Sequence, residues 1–100
     1  MQETVLIVED NLYLSNIFSQ AIRDEFGIEP VVAGNLAETR RILSLPSYRF
    51  FCAIVDLRMP DSYEGEAAQA VVSRNIPAIV LTASSNEVLR DKVLSMDILS

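Results

Sequence analysis

Short apolar runs alternate with stretches of helical period along the whole chain, and no other feature limits its fold so tightly. Residues 4–8 (TVLIV) are a β-branched run that stops at Glu9 and Asp10, as a strand buried on both faces would. From Asn11 the period changes. Leu14, Ile17, Phe18, Ala21 and Ile22 fall at helical spacing, and Gly27 supplies a stop. Residues 29–33 predict a shorter second strand closed by Gly34. Asn35 then caps a second helix, with Glu38 as its capping-box partner and Leu36, Ile42 and Leu43 as its apolar positions; that helix stops before Pro46. Residues 50–55 predict a third strand ending on Asp56. A third helix is expected to begin near Glu64, with Ala67, Ala68, Val71 and Val72 on one side. Residues 76–81 predict a fourth strand, with Pro77 tolerable near its start. Ser84 and Glu87 form a second capping box, opening a helix that carries Val88, Leu89, Val93 and Met96.

Four strand–helix pairs in one chain of 100 residues predict one α/β domain, a parallel sheet with helices on both faces. Parallel strands place all their carboxyl ends on one edge. In open sheets of this class, ligands bind outside that edge, where the strand order reverses. The longer apolar runs of the first and third strands suit central positions, and the short second strand suits an edge. If the first and third are neighbours, Asp10 and Asp56 flank the crevice, with Glu9 beside them and Thr82 at the end of the fourth strand.

Composition narrows the chemistry available there. The chain has no histidine, which removes Ser-His-Asp and Cys-His catalysis and makes a standard zinc site improbable. Its net charge of −6 argues against direct binding to nucleic acid. Cys52, the one cysteine, lies in an apolar run and reads as a small buried hydrophobe. No run is long enough to span a membrane, and Glu3 stands where a signal peptide would be basic. A cytoplasmic location is the expectation. Carboxylates, hydroxyls and oxygen-binding cations remain. Two unit charges about 4 Å apart repel by roughly 4 kcal/mol at an effective dielectric near 20, so clustered acids either hold a proton or hold a cation. An all-oxygen donor set favours Mg²⁺ (or Mn²⁺). A carboxylate beside such an ion is suited to receive a phosphoryl group.

Taken singly, these residues have plainer readings. Asp10 alone fits the N-cap of the first helix, Asp56 an acid at a strand exit, Thr82 a strand terminus, and Glu9 a solvent-facing carboxylate. Asp61, Glu64 and Glu66 read as solvated loop and first-turn acids. The three stretches VLIVEDN (residues 5–11), AIVDLRMPD (residues 53–61) and AIVLTAS (residues 78–84) resemble, in order and separation, the signature stretches of bacterial two-component receiver domains. The resemblance covers essentially the whole chain. It implies a flavodoxin-like sheet of order 2-1-3-4-5, with Asp56 as phosphoacceptor. It also implies an Mg²⁺ site made of Asp10 directly, Glu9 through water, Asp56 and the backbone carbonyl of Arg58. Thr82 would be the hydroxyl that senses the phosphoryl group, and Ala83 the small residue beside it.

On this resemblance the domain accepts its phosphoryl group from a sensor histidine kinase or phosphotransfer protein, and the surface of the fourth helix then controls an output domain or partner protein. It would assist its own phosphorylation and dephosphorylation rather than act as an enzyme, and it could dimerise. The family's fifth strand carries a lysine expected just beyond Ser100. Lys92 falls within the predicted fourth helix and does not match it, so residues 1–100 are expected to be a receiver domain incomplete at its C-terminus. The missing lysine leaves open a phosphorylation-independent pseudo-receiver that serves as an interaction module. A flavin protein or a haloacid-type phosphatase fits poorly, because acids follow the first strand where phosphate would bind and position 12 is Leu12.

Overall fold

The computed structural model describes residues 2–57, 59, 61–62 and 65–81. In chain order these form β1 (Gln2–Val8), α1 (Leu12–Phe26), β2 (Val31–Ala33), α2 (Leu36–Leu43), β3 (Tyr48–Asp56), α3 (Glu66–Val72) and β4 (Ala78–Leu81). All strand pairs are parallel, and the sheet order is β2-β1-β3-β4. The predicted flavodoxin-like arrangement, with β1 and β3 central, is therefore the one observed. The predicted fourth helix, its capping box and Thr82 lie outside the described residues.

The unbroken apolar run of β1 follows from burial on both sides. Leu6 and Val8 enter a core with Ala33, Leu36, Ile42, Phe50, Ala53, Val55, Met59, Ala67 and Val71, under α2 and α3. Val5 and Ile7 enter a second core with Ile22 and Cys52, under α1. The β1–β3 register shifts between Thr4 and Val5, whose partners are Phe50 and Cys52. Phe51 is the extra residue of this bulge; it stands outside the buried cores and meets Phe26 edge-on, ring centroids 6.3 Å apart. The bulge changes the parity of β3, so that Phe50 and Ala53 face the same core.

The boundaries differ from expectation where local chemistry intervenes. The second strand begins at Val31 rather than residue 29, because Glu29 is engaged elsewhere. Its carboxylate accepts from Arg23 Nε and Nη2 at 2.7 and 2.6 Å, and its carbonyl accepts from the buried Thr4 hydroxyl at 2.6 Å. The third helix starts at Glu66, preceded by Gly65 at φ 81°, a backbone state that favours glycine. Helix α1 turns Ser15, Ser19 and Ile22 to the sheet. Leu14 and Phe18 are half-buried, and Ile17 and Ala21 are exposed. The expected apolar stripe is thus rotated, and the small hydroxyl residues let the helix approach closely; Ser15 satisfies its hydroxyl by donating to the Leu12 carbonyl at 3.1 Å.

Candidate functional site

The parallel pairing of β1 and β3 fixes the site. Val8 and Val55 are register partners, so the residues that follow, Glu9 and Asp56, leave the sheet side by side. Asp10 comes next. One carboxylate oxygen from each of Glu9, Asp10 and Asp56 lies within 4.8 Å of the others. Asp10 is exposed, Asp56 half-buried, and Glu9 only 5% exposed.

Glu9 is held rigidly. Its N–H donates to the Ala33 carbonyl at the end of β2, at 3.0 Å, and its Oε2 accepts from the Asn11 N–H at 3.2 Å. Burial pushes its carboxyl up to about 8, and the neighbouring Asp56 side chain and charge add to the rise, against the opposing Asn11 N–H. Asp10 is not the cap of α1, as its plainer reading had it. That cap is Asn11, whose Oδ1 accepts from the Leu14 N–H at 3.1 Å. One further residue of turn thus leaves the Asp10 carboxylate to the cluster.

The fourth strand closes the far side. Asp56 is the register partner of Leu81, and the Leu57 N–H donates to the Leu81 carbonyl at 2.8 Å. Arg58, Thr82 and Glu64, all singled out in the sequence, lie outside the described residues. Glu66 occupies the first turn of α3 and is not among the clustered acids. Asp61 is exposed, as its reading as a solvated loop acid had it, and it also caps a helix distant in sequence. Its Oδ1 accepts from the Leu36 N–H at 2.8 Å and its Oδ2 from the Ala37 N–H at 3.3 Å, at the start of α2. Sequence spacing carried no signal for a cap 25 residues from its helix.

The donor set suits a hard divalent cation. Three carboxylates converge with neither histidine nor cysteine beside them, and a donor set made of oxygens alone is the kind that such an ion takes. A cavity of about 570 Å³ opens at the opposite, amino-terminal edge of the sheet, lined in part by Glu3, Tyr48, Arg49 and Arg74. It is remote from these acids, and the chemistry of the carboxyl edge outweighs its size.

No protein-family model matches the chain. A response regulator receiver protein of Anaeromyxobacter sp. is 34% identical over 79 residues, a stretch covering 77% of this chain and 32% of that protein. The chain thus spans about a third of the length of this curated relative. Among solved structures, the MaeR response regulator bound to beryllium trifluoride superposes with a TM-score of 0.68 at 16% identity, over 100% of this chain and 82% of that one. The receiver domain of the Francisella response regulator 1452 gives 0.61 at 23% identity, covering 94% and 78%. The N-terminal domain of an uncharacterized protein from Wolinella succinogenes gives 0.62 at 27%, covering 93% and 74%. At these identities the first two structures bear on fold, while the Anaeromyxobacter protein bears on kinship. Sheet order, clustered acids and sequence kinship agree: this chain carries a receiver domain of the two-component response-regulator family.

Proposed function

We propose that this domain is a phosphorylation switch in which Asp56 accepts a phosphoryl group. The observation that carries the reading is the convergence of Glu9, Asp10 and Asp56 within 4.8 Å at the carboxyl edge of a parallel sheet. Asp10 and Asp56 would hold Mg²⁺ directly, Glu9 through water, and the Arg58 backbone carbonyl would complete the protein's share. When bound, the ion neutralises negative charge on the transferring group and on the acids around it.

The remaining work falls to the chain. An Asp56 carboxylate oxygen attacks phosphorus, forming a P–O bond as the donor's bond to phosphorus breaks. The donor, a histidine kinase, a phosphotransfer protein or a small phosphodonor, leaves with the electron pair. Glu9, fixed by Ala33 and Asn11, keeps its carboxylate aimed at the cluster. The product acyl phosphate brings new charge and acceptor oxygens to the end of β3. Thr82, one residue past β4, donates its hydroxyl to it, and the segment that follows shifts to present a new surface to an output domain or partner protein.

Incubation with acetyl phosphate and Mg²⁺, followed by mass spectrometry, tests this. A hydroxylamine-sensitive adduct on Asp56, lost in Asp56→Asn, is expected. Labelling that persists in that variant, or falls on a serine, defeats the reading. A protein that takes no label yet still binds its partner would instead be a phosphorylation-independent interaction module.

A further inference from the structure

Between β3 and α3 stand two adjacent polar residues, Asp61 and Ser62, each satisfying the start of a different helix. Ser62 is fully buried, and its hydroxyl accepts from the Ala67 N–H of α3 at 2.9 Å. Asp61 accepts from the Leu36 and Ala37 N–H groups of α2, which the helix itself leaves unpaired. Asn35 Oδ1 takes a third such N–H, that of Glu38, at 2.7 Å. Met59, only 2% exposed, anchors the loop in the core beneath α2 and α3. It also exchanges backbone hydrogen bonds of 3.0 and 3.5 Å with Ser62. Of the three loop residues Met59, Asp61 and Ser62, Asp61 alone is exposed, so its bonds can be removed without opening the core.

These contacts close a ring around the carboxyl edge. Glu9 bonds to Ala33, and Gly34 and Asn35 lead from Ala33 to Leu36. Leu36 bonds to Asp61, the loop leads from Asp61 back to Asp56, and Asp56 meets Glu9 across the acid cluster. We propose that Asp61 is a positioning residue for the acid site: by tying the β3–α3 loop to the start of α2, it sets that loop relative to Glu9 and Asp10. The inference rests on the metal-dependent reading above. Coupling between two sites is reciprocal, so a cation that draws Glu9 and Asp56 together also tightens the bonds from Leu36 and Ala37 to Asp61.

Mg²⁺ titration by calorimetry, paired with hydrogen exchange at the Leu36 and Ala37 amides, tests this in wild type, Asp61→Ala, Asp61→Asn and Asn35→Ala. Wild type should bind Mg²⁺ and slow exchange at both amides. Asp61→Ala should bind Mg²⁺ roughly tenfold more weakly, as loss of a group supporting metal ligands commonly does. Asp61→Asn, which keeps an acceptor for the Leu36 N–H, should recover most of that affinity. Asn35→Ala removes a different bond from the same helix start, so its Tm should fall while Mg²⁺ affinity stays within about twofold. Equal affinity in Asp61→Ala and wild type overturns the positioning role and leaves the acid site standing. So does a loss in Asn35→Ala as large as in Asp61→Ala, or a failure of Asp61→Asn to recover, which would assign the effect to charge. Absence of Mg²⁺ binding by wild type overturns the metal reading and the positioning role together.

Discussion

Glu9 and Asp10 are sequence neighbours with different environments, and two predictions follow from that difference. Glu9 is buried, with its carboxyl raised to about 8, above its unfolded value of 4.5. The folded, metal-free protein therefore keeps a proton there that the unfolded chain gives up. The corresponding stability is fully present below about pH 4.5 and is lost as pH rises through about 8. Thermal melts without divalent ions should show Tm falling by several degrees across that window, and Glu9→Gln should flatten the decline. An unchanged slope in that variant would assign the effect to other groups. Asp10, exposed and at the mouth of the cluster, should matter for the ion rather than for the fold. Asp10→Ala should weaken Mg²⁺ binding by at least tenfold, and Glu66→Ala, in the first turn of α3, should change it little. Calorimetry that finds equal losses would point to a diffuse acidic surface in place of a site.

At the scale of elements, the bulge in β3 separates two adjacent phenylalanines into different roles. Phe50 is 8% exposed within the core beneath α2 and α3, whereas Phe51 is 40% exposed and touches the end of α1. Truncating a buried Phe to Ala typically costs about 3–5 kcal/mol. Phe50→Ala should approach that range in urea denaturation, and Phe51→Ala should cost about 1 kcal/mol, near the value of an aromatic pair. Comparable costs would mean that the two rings contribute equally to the packing, against the separation of their roles by the bulge. Thr4 makes a related point between elements. Its buried hydroxyl ties β1 to the Glu29 carbonyl at 2.6 Å, so Thr4→Val, nearly the same shape, should cost about 1–2 kcal/mol through the hydrogen bond alone.

For the molecule as a whole, the acid cluster links stability to ligand. Any ion that binds the folded state alone raises stability by RT ln(1 + [L]/Kd), about 2.7 kcal/mol at a hundredfold excess over Kd. Saturating Mg²⁺ should therefore raise Tm by several degrees in wild type and by much less in Asp10→Ala, as read by thermal melts with and without the ion. A rise of the same size in both proteins would show that the ion acts elsewhere. The two cores on opposite faces of the sheet make this gain a property of the entire domain. The cluster draws together ends of β1 and β3, and both cores pack on those strands.

The apolar runs, their alternation with helical spacing and the acids at the strand exits were sufficient by themselves to predict a doubly wound parallel sheet. They also placed Glu9, Asp10 and Asp56 on one edge, because parallel strands must end together. The Asn35 cap and the Gly27 stop were equally legible, since both depend on residues within a turn of each other. Tertiary structure decided what no local spacing encodes. It turned Ser15 and Ser19 inward in place of Ile17 and Ala21, because the helix settles where its backbone can approach the sheet. It shifted the β1–β3 register at one residue, a choice made between strands rather than within either. It gave Asp61 to the start of α2, because unpaired N–H groups at a helix start donate to whichever carboxylate the fold brings near, however distant in sequence.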